Sequence, residues 1–180
     1  ILPSFHAKYA IHSNGNLRFS YARAINRPSF FEIVPYSIIN EDYKEKGNPE
    51  LKHTVADNID LRYEFFPRSS EQLMVGLFYK NIKDPIEYGL LNEGQDTYYK
   101  PMNFGTANNW GLEVDILKYF NWLGIKANYT YTYSKITTEK RVMQGSEVTT
   151  TTQSRPLFGQ AAHVANISFL LKDSKHGWEG

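Results

Sequence analysis

Six polar residues at alternating positions are the candidates in this chain for handling a solute. They lie in two segments and are Asn58, Asp60, Arg62, Glu64, Glu113 and Asp115. Side chains at every second position of a strand point to one face, so each group would form a polar stripe. Such a stripe could line the path of a polar solute. It could also be a water-filled wall whose opposite charges pair with one another, which is the interpretation we favour.

Metal binding and catalysis require residue groupings that this sequence lacks. The five histidines are scattered, with no pair at ligand spacing, and there is no cysteine. A structural metal site needs several such ligands brought together. The chain has no Gly-x-Ser-x-Gly motif and no Ser, His and Asp in the order of a catalytic triad. We therefore expect no enzyme, no catalytic residue, no metal and no cofactor.

Three tyrosines in long polar segments are candidates for contacting a ligand. They are Tyr36, Tyr98 and Tyr99. An exposed aromatic ring can stack on a ligand, whereas rings in long loops also pack against the loops themselves. Both interpretations are open at the level of the sequence.

The composition excludes several classes of protein. The 180 residues include 20 Lys and Arg against 19 Asp and Glu, and a net charge of +1 provides no field to attract nucleic acid. No run of apolar residues approaches the roughly 18 that a transmembrane helix needs. A membrane β-barrel is compatible with this composition, because its strands alternate between apolar and polar residues. The length fits one domain or a piece of a larger one.

The elements that would position the candidate side chains have a period of two. Ile59, Leu61 and Tyr63 alternate with the polar residues of the first stripe. Comparable alternation recurs in segments 17–21, 112–116, 125–133 and 165–171. No segment of similar length shows the stripe of an amphipathic helix. The chain is therefore predicted to be all-β.

We expect about seven long strands joined alternately by short turns and long polar segments. The strands should lie at about 2–11, 17–27, 53–66, 73–88, 103–120, 123–139 and 163–172. The short turns fall at 12–16, 67–72 and 121–122, and the long segments at 28–52, 89–102 and 140–162. Outer-membrane barrels have this asymmetry, with short periplasmic turns and longer extracellular loops. A soluble meander has no reason to sort its loops by side.

Short motifs follow one another along nearly the whole chain. Arg27-Pro28 closes the second predicted strand and precedes the aromatic-rich segment 29–36. Gly47-Asn48-Pro49-Glu50-Leu51 stands before the third strand, and Asn103-Phe104-Gly105 and Trp110-Gly111-Leu112-Glu113 belong to the fifth. In order and spacing these motifs resemble the C-terminal barrel of TonB-dependent outer-membrane receptors, especially the Bacteroidetes type.

The resemblance implies a fold, a location and a set of partners. Residues 1–180 would be a fragment of the C-terminal transmembrane β-barrel domain in the outer membrane of a Gram-negative bacterium, with the plug domain absent. Its seven strands would form an antiparallel meander whose two edges pair with further strands of the same receptor. The implied partners are the remainder of that receptor chain, the TonB energy-coupling system through the plug, the lipid bilayer and a surface lipoprotein.

The function implied by the resemblance is uptake of a scarce solute, such as a siderophore, vitamin, glycan or peptide. This segment would supply barrel wall and extracellular loops. The alternative is a soluble or surface β-sandwich that binds glycan through loop aromatics, with its apolar stripes facing a second sheet. A small porin-like or adhesin barrel is a further rival, against which the ordered motifs argue. Exposure of Ile59, Leu61 and Tyr63 would favour the barrel, and their burial the sandwich.

Overall fold

The computed structural model describes residues 1–39, 44–93, 96–144, 147–173 and 178–179, and they form thirteen strands and one short helix. The first eight strands are β1 (Ser4–His12), β2 (Gly15–Asn26), β3 (Ser37–Ile39), β4 (Lys44–Lys46), β5 (Thr54–Phe65), β6 (Gln72–Lys83), β7 (Ile86–Glu93) and β8 (Asp96–Asn103). The other five are β9 (Thr106–Phe120), β10 (Leu123–Gln144), β11 (Glu147–Arg155), β12 (His163–Asp173) and β13 (Trp178–Glu179). The helix α1 spans Phe30–Ile33.

Seven long strands form the main sheet. β1, β2, β5, β6, β9, β10 and β12 pair in that order as an antiparallel meander, β11 pairs with β10, and β13 pairs with β12. These seven strands correspond to the seven predicted from the alternation of apolar and polar residues. The all-β antiparallel meander is therefore confirmed. Among the described residues β1 pairs only with β2, and no pairing joins β1 to β12.

Two long polar segments contain regular structure that the sequence did not predict. Residues 89–102 lie mostly in the β7–β8 hairpin, and segment 140–162 begins with the β10–β11 hairpin. The predicted strand 73–88 is interrupted at Asp84 and Pro85. Asp84 has a positive φ of 52°, and proline has no backbone N–H to donate to a ladder. The chain therefore turns there, and β7 begins a new hairpin.

The first long segment also carries a short helix with a complete capping box. The Ser29 hydroxyl accepts from the Glu32 backbone N–H at 3.4 Å, and the Glu32 carboxylate accepts from the Ser29 N–H at 2.6 Å. Two donors that a helix start leaves without partners are thereby satisfied. Within the described part of the chain, no helix has the length and apolar character needed to cross a membrane.

The main sheet has one apolar and one polar face, and the apolar face is exposed. One row of neighbours in register on this face consists of Tyr21, Ile59, Tyr79, Trp110 and Tyr133. Ile59 and Leu61 are each 40% exposed, Leu77 is 55% exposed, and Tyr63 is half-buried. A β-sandwich would bury this stripe against a second sheet. The observed exposure favours the barrel, and the sandwich alternative is not favoured.

A second sheet lies at the end of the main sheet where the long segments leave it. Its strands pair in the order β3, β4, β8 and β7, and β4 runs parallel to β8. The fully buried side chains of the described residues are at this end. Ala107 and Ile136, which are partners in register on β9 and β10, are both 0% exposed. This buried pair therefore lies at the end of the main sheet from which the long segments leave.

Candidate functional site

All six polar candidates lie on the polar face of the main sheet. β5 carries four of them and β9 carries two, and none lies on the apolar face. Ser20 on β2 donates to Asp60 at 3.4 Å. The Asn58 side-chain amide is turned to the backbone, where it donates to the carbonyl oxygen of Ala22 at 3.1 Å. The structure thus brings the two predicted stripes onto one continuous surface.

Arg62 and Glu113 pair across an intervening strand. Gly76 on β6 lies between them, in register with Arg62 on one side and with Glu113 on the other. Because glycine has no side chain, the guanidinium crosses β6, and its Nη2 lies 3.5 Å from Glu113 Oε2. A Cβ at Gly76 would lie 3.7 Å from Arg62 Nε, which is an ordinary contact. A longer side chain would occupy the space through which the guanidinium reaches Glu113.

The neighbouring charges on this face are also paired. Arg18 Nε lies 2.7 Å from Glu64 Oε1, and the Glu64 side chain is only 8% exposed. The side-chain amide of Gln72 donates to Asp115 Oδ1 at 2.7 Å. A buried carboxylate is stable when an opposite charge or a hydrogen-bond donor satisfies it. This arrangement is that of a wall with paired charges rather than a row of like charges.

Two open grooves lie side by side on the polar face. One, of about 390 Å³, is lined by the cationic residues Lys8, Arg18 and Arg62, together with His6 and Asp60. The other, of about 360 Å³, contains Glu113, Asp115, Gln72 and Asn128, with Arg62 at its border. These groups can hydrogen-bond a polar solute or water.

The second sheet and the segments around it form one loop platform, defined as β3, β4, β7, β8 and the connections from 47 to 53 and 84 to 85. The Asn48 amide donates to the carbonyl oxygen of Pro101 at 2.9 Å. Asn103 makes three hydrogen bonds. Its Nδ2 donates to the carbonyl oxygens of Lys52 at 3.0 Å and Asp84 at 2.9 Å, and its Oδ1 accepts from the Lys52 N–H at 2.8 Å. Asn103 therefore joins two long segments.

A third long segment is tied to the same platform. Arg155, at the end of β11, forms an ion pair with Glu87 on β7. The Glu87 side chain is 14% exposed, so water screens this pair less than one on an open surface. All three long connections are thus held together by contacts between side chains, backbone groups or both.

The three candidate tyrosines do not form a single cluster. Tyr98 and Tyr99 are consecutive on β8, so their rings lie on opposite faces of the platform. On the Tyr98 face, the Nζ atoms of Lys44 and Lys46 lie 5.9 Å and 5.4 Å from the ring centre. The Tyr99 face is apolar and aromatic at its surface, with Leu90 62% exposed.

The Tyr99 face also carries Tyr88, a residue that the sequence did not single out. Burial raises the pKa of the Tyr88 hydroxyl above its ordinary value, and the nearby charges of Glu45 and Glu32 raise it further. Interaction with Tyr36 also raises this pKa. The Tyr36 backbone carbonyl accepts from the Gly47 N–H at 3.2 Å. Like any tyrosine hydroxyl that is neutral near pH 7, the Tyr88 hydroxyl can act as a hydrogen-bond donor as well as an acceptor.

An acidic residue, Glu71, lies in the short turn between β5 and β6, at the opposite end of the main sheet. Glu71 is 3% exposed, and its carboxylate accepts from Lys118 Nζ at 2.9 Å and from the Tyr119 N–H at 3.4 Å. The hydrogen bond from Lys118 lowers the pKa of Glu71 below its ordinary value. Glu71 thus joins the β5–β6 turn to the end of β9.

Metal ligands do not gather in the described part of the chain, where no three His, Asp or Glu side chains are placed to hold an ion. Sequence reasoning missed Gly76, Asn103 and Glu71. Gly76 is a glycine inside a predicted strand, which was a usable signal for a close approach of another side chain. Nothing in the sequence indicated the partners of Asn103 or Glu71, because these are more than 15 residues away along the chain.

Comparison with known proteins identifies the family to which this fold belongs. The family model described as TonB dependent receptor-like, beta-barrel matches residues 1–180. The siderophore receptor PirA from Pseudomonas aeruginosa is similar, with a TM-score of 0.65 and 17% identity over 97% of this chain and 36% of that one. A variant of the ferric enterobactin receptor PfeA from the same organism, in complex with enterobactin, is also similar. Its TM-score is 0.60, with 17% identity over 97% of this chain and 33% of that one.

A third similar structure is the siderophore receptor PirA from Acinetobacter baumannii, with a TM-score of 0.57 and 15% identity over 96% of this chain and 35% of that one. At these identities the likeness concerns the fold. The chain spans about a third of the length of the structures that it matches. A search of the curated proteins gave no match.

Proposed function

Since the chain belongs to the TonB-dependent receptor-like β-barrel family, we propose that it forms wall and outer loops of an outer-membrane receptor that imports a scarce solute. Residues 1–180 would then be a fragment of the barrel domain. The plug and the strands that pair with both edges of the main sheet would come from the remainder of the same receptor. The TonB system would supply energy through the plug, and a surface lipoprotein is a further proposed partner.

The exposed apolar face is the observation that carries this proposal. On β9 its side chains run from Trp110, which is 46% exposed, to Phe120, which is 57% exposed, and they include one cation, Lys118, which is paired with Glu71 beside the Phe120 end. These ten steps cover about 34 Å along the strand, or about 26 Å across a bilayer at a tilt of about 40°. Outer-membrane barrels carry an apolar band about 25 Å tall between aromatic girdles. The apolar face therefore fits the lipid bilayer of an outer membrane.

The polar face would line the interior of the barrel. Its paired charges, Arg18 with Glu64 and Arg62 with Glu113, suit a surface that contacts water or the plug. Such a wall binds and guides solutes and performs no catalysis, so the receptor would transport its solute unchanged.

The loop platform is our candidate for the first contact with the solute. Tyr98 offers an aromatic ring beside the ammonium groups of Lys44 and Lys46. A ring next to cations suits an anionic solute with planar groups, since it can be stacked and electrostatically attracted at once. Tyr36 and Tyr99 would offer a second aromatic surface. The likeness to siderophore receptors supports a ferric siderophore as the solute class.

Iron uptake by intact cells tests this proposal. Cells that lack their own siderophore receptors and express the complete receptor should accumulate radioactive iron supplied as ferric siderophore, and loss of TonB should abolish the uptake. Tyr98→Leu should lower uptake more than the matched change Tyr99→Leu on the opposite face. Uptake that is independent of TonB, or absent with every ferric siderophore tried, would contradict the proposal.

The orientation in the membrane has its own test. Segments 28–52 and 140–162 should lie outside the cell, and turns 12–16 and 67–72 in the periplasm. An epitope inserted in either long segment should be removed by protease added to intact cells, whereas one in either turn should be protected. The reverse pattern would show that the orientation is inverted or that the chain is not a barrel.

A further inference from the structure

Three polar residues, Lys83, Asn108 and Lys135, form a patch on the exterior, apolar face where the long segments leave the main sheet. Asn108 lies opposite Asn81 on one side and opposite Lys135 on the other. Lys83 lies two residues beyond Asn81 and is therefore a diagonal neighbour of Asn108. Opposite residues in a sheet have Cβ atoms about 5 Å apart, and diagonal ones about 7–8 Å. Both ammonium groups can therefore reach one ligand above Asn108.

The patch offers donors rather than acceptors. Asn108 Oδ1 already accepts from the Tyr79 hydroxyl and from Asn81 Nδ2, each at 2.9 Å. The amino group of Asn108 is therefore its remaining hydrogen-bonding group. Lys83 and Lys135 are both exposed, and no carboxylate of the described residues lies within salt-bridge distance of either. Two cations and an amide donor together suit an anion with several oxygen atoms.

The closest carboxylate by register on this face is Asp57, and it is engaged elsewhere. Asp57 accepts from Arg23 Nε at 2.8 Å and Nη2 at 3.1 Å, and from the Tyr21 hydroxyl at 2.8 Å. Asp57 also interacts electrostatically with Lys83, but its single negative charge is already paired with Arg23, so it offsets only part of the charge of Lys83. A net positive charge of the patch therefore remains for a ligand from outside the chain.

The surface next to the patch is apolar. Trp110 lies two residues from Asn108 on β9, and Tyr133 lies two residues from Lys135 on β10, both toward the centre of the sheet. The ring centres of Trp110 and Tyr133 are 5.3 Å apart. The two residues are 46% and 45% exposed. A ligand that fits both surfaces has an anionic head and apolar chains. Free phosphate would use only the polar part.

We infer that Lys83, Asn108 and Lys135 bind the phosphate group of an anionic membrane lipid whose chains lie on Trp110 and Tyr133. The inference rests on the proposed function, because it requires the apolar face to contact lipid. It goes beyond that function, since it assigns a specific lipid site on the outside of the barrel.

Electron spin resonance of the complete receptor in phosphatidylcholine vesicles tests the inference. The probes are spin-labelled phosphatidic acid and spin-labelled phosphatidylcholine, and the fraction of each that the protein immobilises gives their relative association constants. Lys83→Gln and Lys135→Gln should each lower the preference for phosphatidic acid about fivefold, as expected for one cation near a membrane surface. The matched control is Lys80→Gln with Lys126→Gln, which removes the same charge from the polar face of the same strands.

The outcomes separate this inference from the proposed function. Loss of preference in the exterior variants, with the control unchanged, supports the lipid site. An equal preference for phosphatidic acid in the exterior variants and in the control would show that Lys83 and Lys135 contact bulk water rather than lipid. That result would overturn the inference. Displacement of the labelled phosphatidic acid by dilute inorganic phosphate would show a free-phosphate site and also overturns it. If neither the wild-type protein nor any variant inserts into vesicles, the proposed function itself has failed.

Discussion

Replacement of Asn103 should loosen the loop platform without unfolding the barrel. In Asn103→Ala, three hydrogen bonds are lost, two with Lys52 and one with Asp84. A hydrogen bond contributes about 1 kcal/mol net, and less where water can replace the partner. Two of the three are exposed, so we expect a loss of about 1–2 kcal/mol in local stability. Local opening should then be about 5–30 times more frequent.

Hydrogen exchange of the complete receptor measures this opening at individual amides. The Lys52 N–H donates to Asn103 Oδ1, so its exchange should accelerate in Asn103→Ala. The matched comparison is Asn103→Asp, which keeps an acceptor but sets a carboxylate oxygen against the carbonyl oxygens of Lys52 and Asp84. Because these oxygens repel one another, the Lys52 amide should lose protection in the aspartate variant as well. Equal protection of Lys52 in wild type and Asn103→Ala would refute the role we assign to Asn103.

Two further predictions concern the ends and the polar face of the main sheet. The lowered pKa of Glu71 stabilises the fold above the unfolded-state pKa, and this contribution is lost as pH falls through the folded-state value. Glu71→Gln should therefore lower the urea midpoint of unfolding near neutral pH. In the variant the midpoint should also fall less steeply as the pH is lowered. A fall as steep as in wild type would contradict the pairing of Glu71 with Lys118. Gly76→Leu should separate Arg62 from Glu113, whereas Gly76→Ala should keep them together. A double-mutant cycle of Arg62→Gln and Glu113→Gln should show no coupling in the leucine background, and retained coupling there would refute the path across Gly76.

The strands of the main sheet could be predicted from the sequence because their signal is local. Alternation such as Ile59, Leu61 and Tyr63 identifies a strand and its two faces from consecutive residues. The same alternation predicted that the polar candidates of each strand share one face, and in the structure all six lie on the polar face of the main sheet. What the sequence could not show is the residue register between neighbouring strands. The predicted meander already placed β6 between β5 and β9, but the pairing of Arg62 with Glu113 also depends on the register that puts Gly76 between them.

The hairpins of the long segments escaped prediction because their local signals are mixed. Gly89 and Pro101 both weaken a strand assignment, and both lie inside the β7–β8 hairpin. This hairpin is stabilised by long-range contacts, including the hydrogen bond from Asn48 to the Pro101 carbonyl. Tyr98 and Tyr99 were grouped with Tyr36 because all three lie in long polar segments. In a strand adjacency places Tyr98 and Tyr99 on opposite faces, and only the recognition of β8 reveals this.

The most direct test of the account compares Leu61→Arg with Arg62→Leu in the folding of the complete receptor into lipid vesicles. Leu61 is exposed on the apolar face between Ile59 and Tyr63, and an arginine facing lipid costs from about 1 kcal/mol near the interface to about 2–4 kcal/mol at the bilayer midplane. The Arg62 and Glu113 side chains are 46% and 48% exposed, and such a pair contributes about 1 kcal/mol at most. We predict that Leu61→Arg inserts poorly while Arg62→Leu inserts nearly as well as wild type. Equal effects, or a larger defect in Arg62→Leu, would contradict the assignment of the apolar face to lipid.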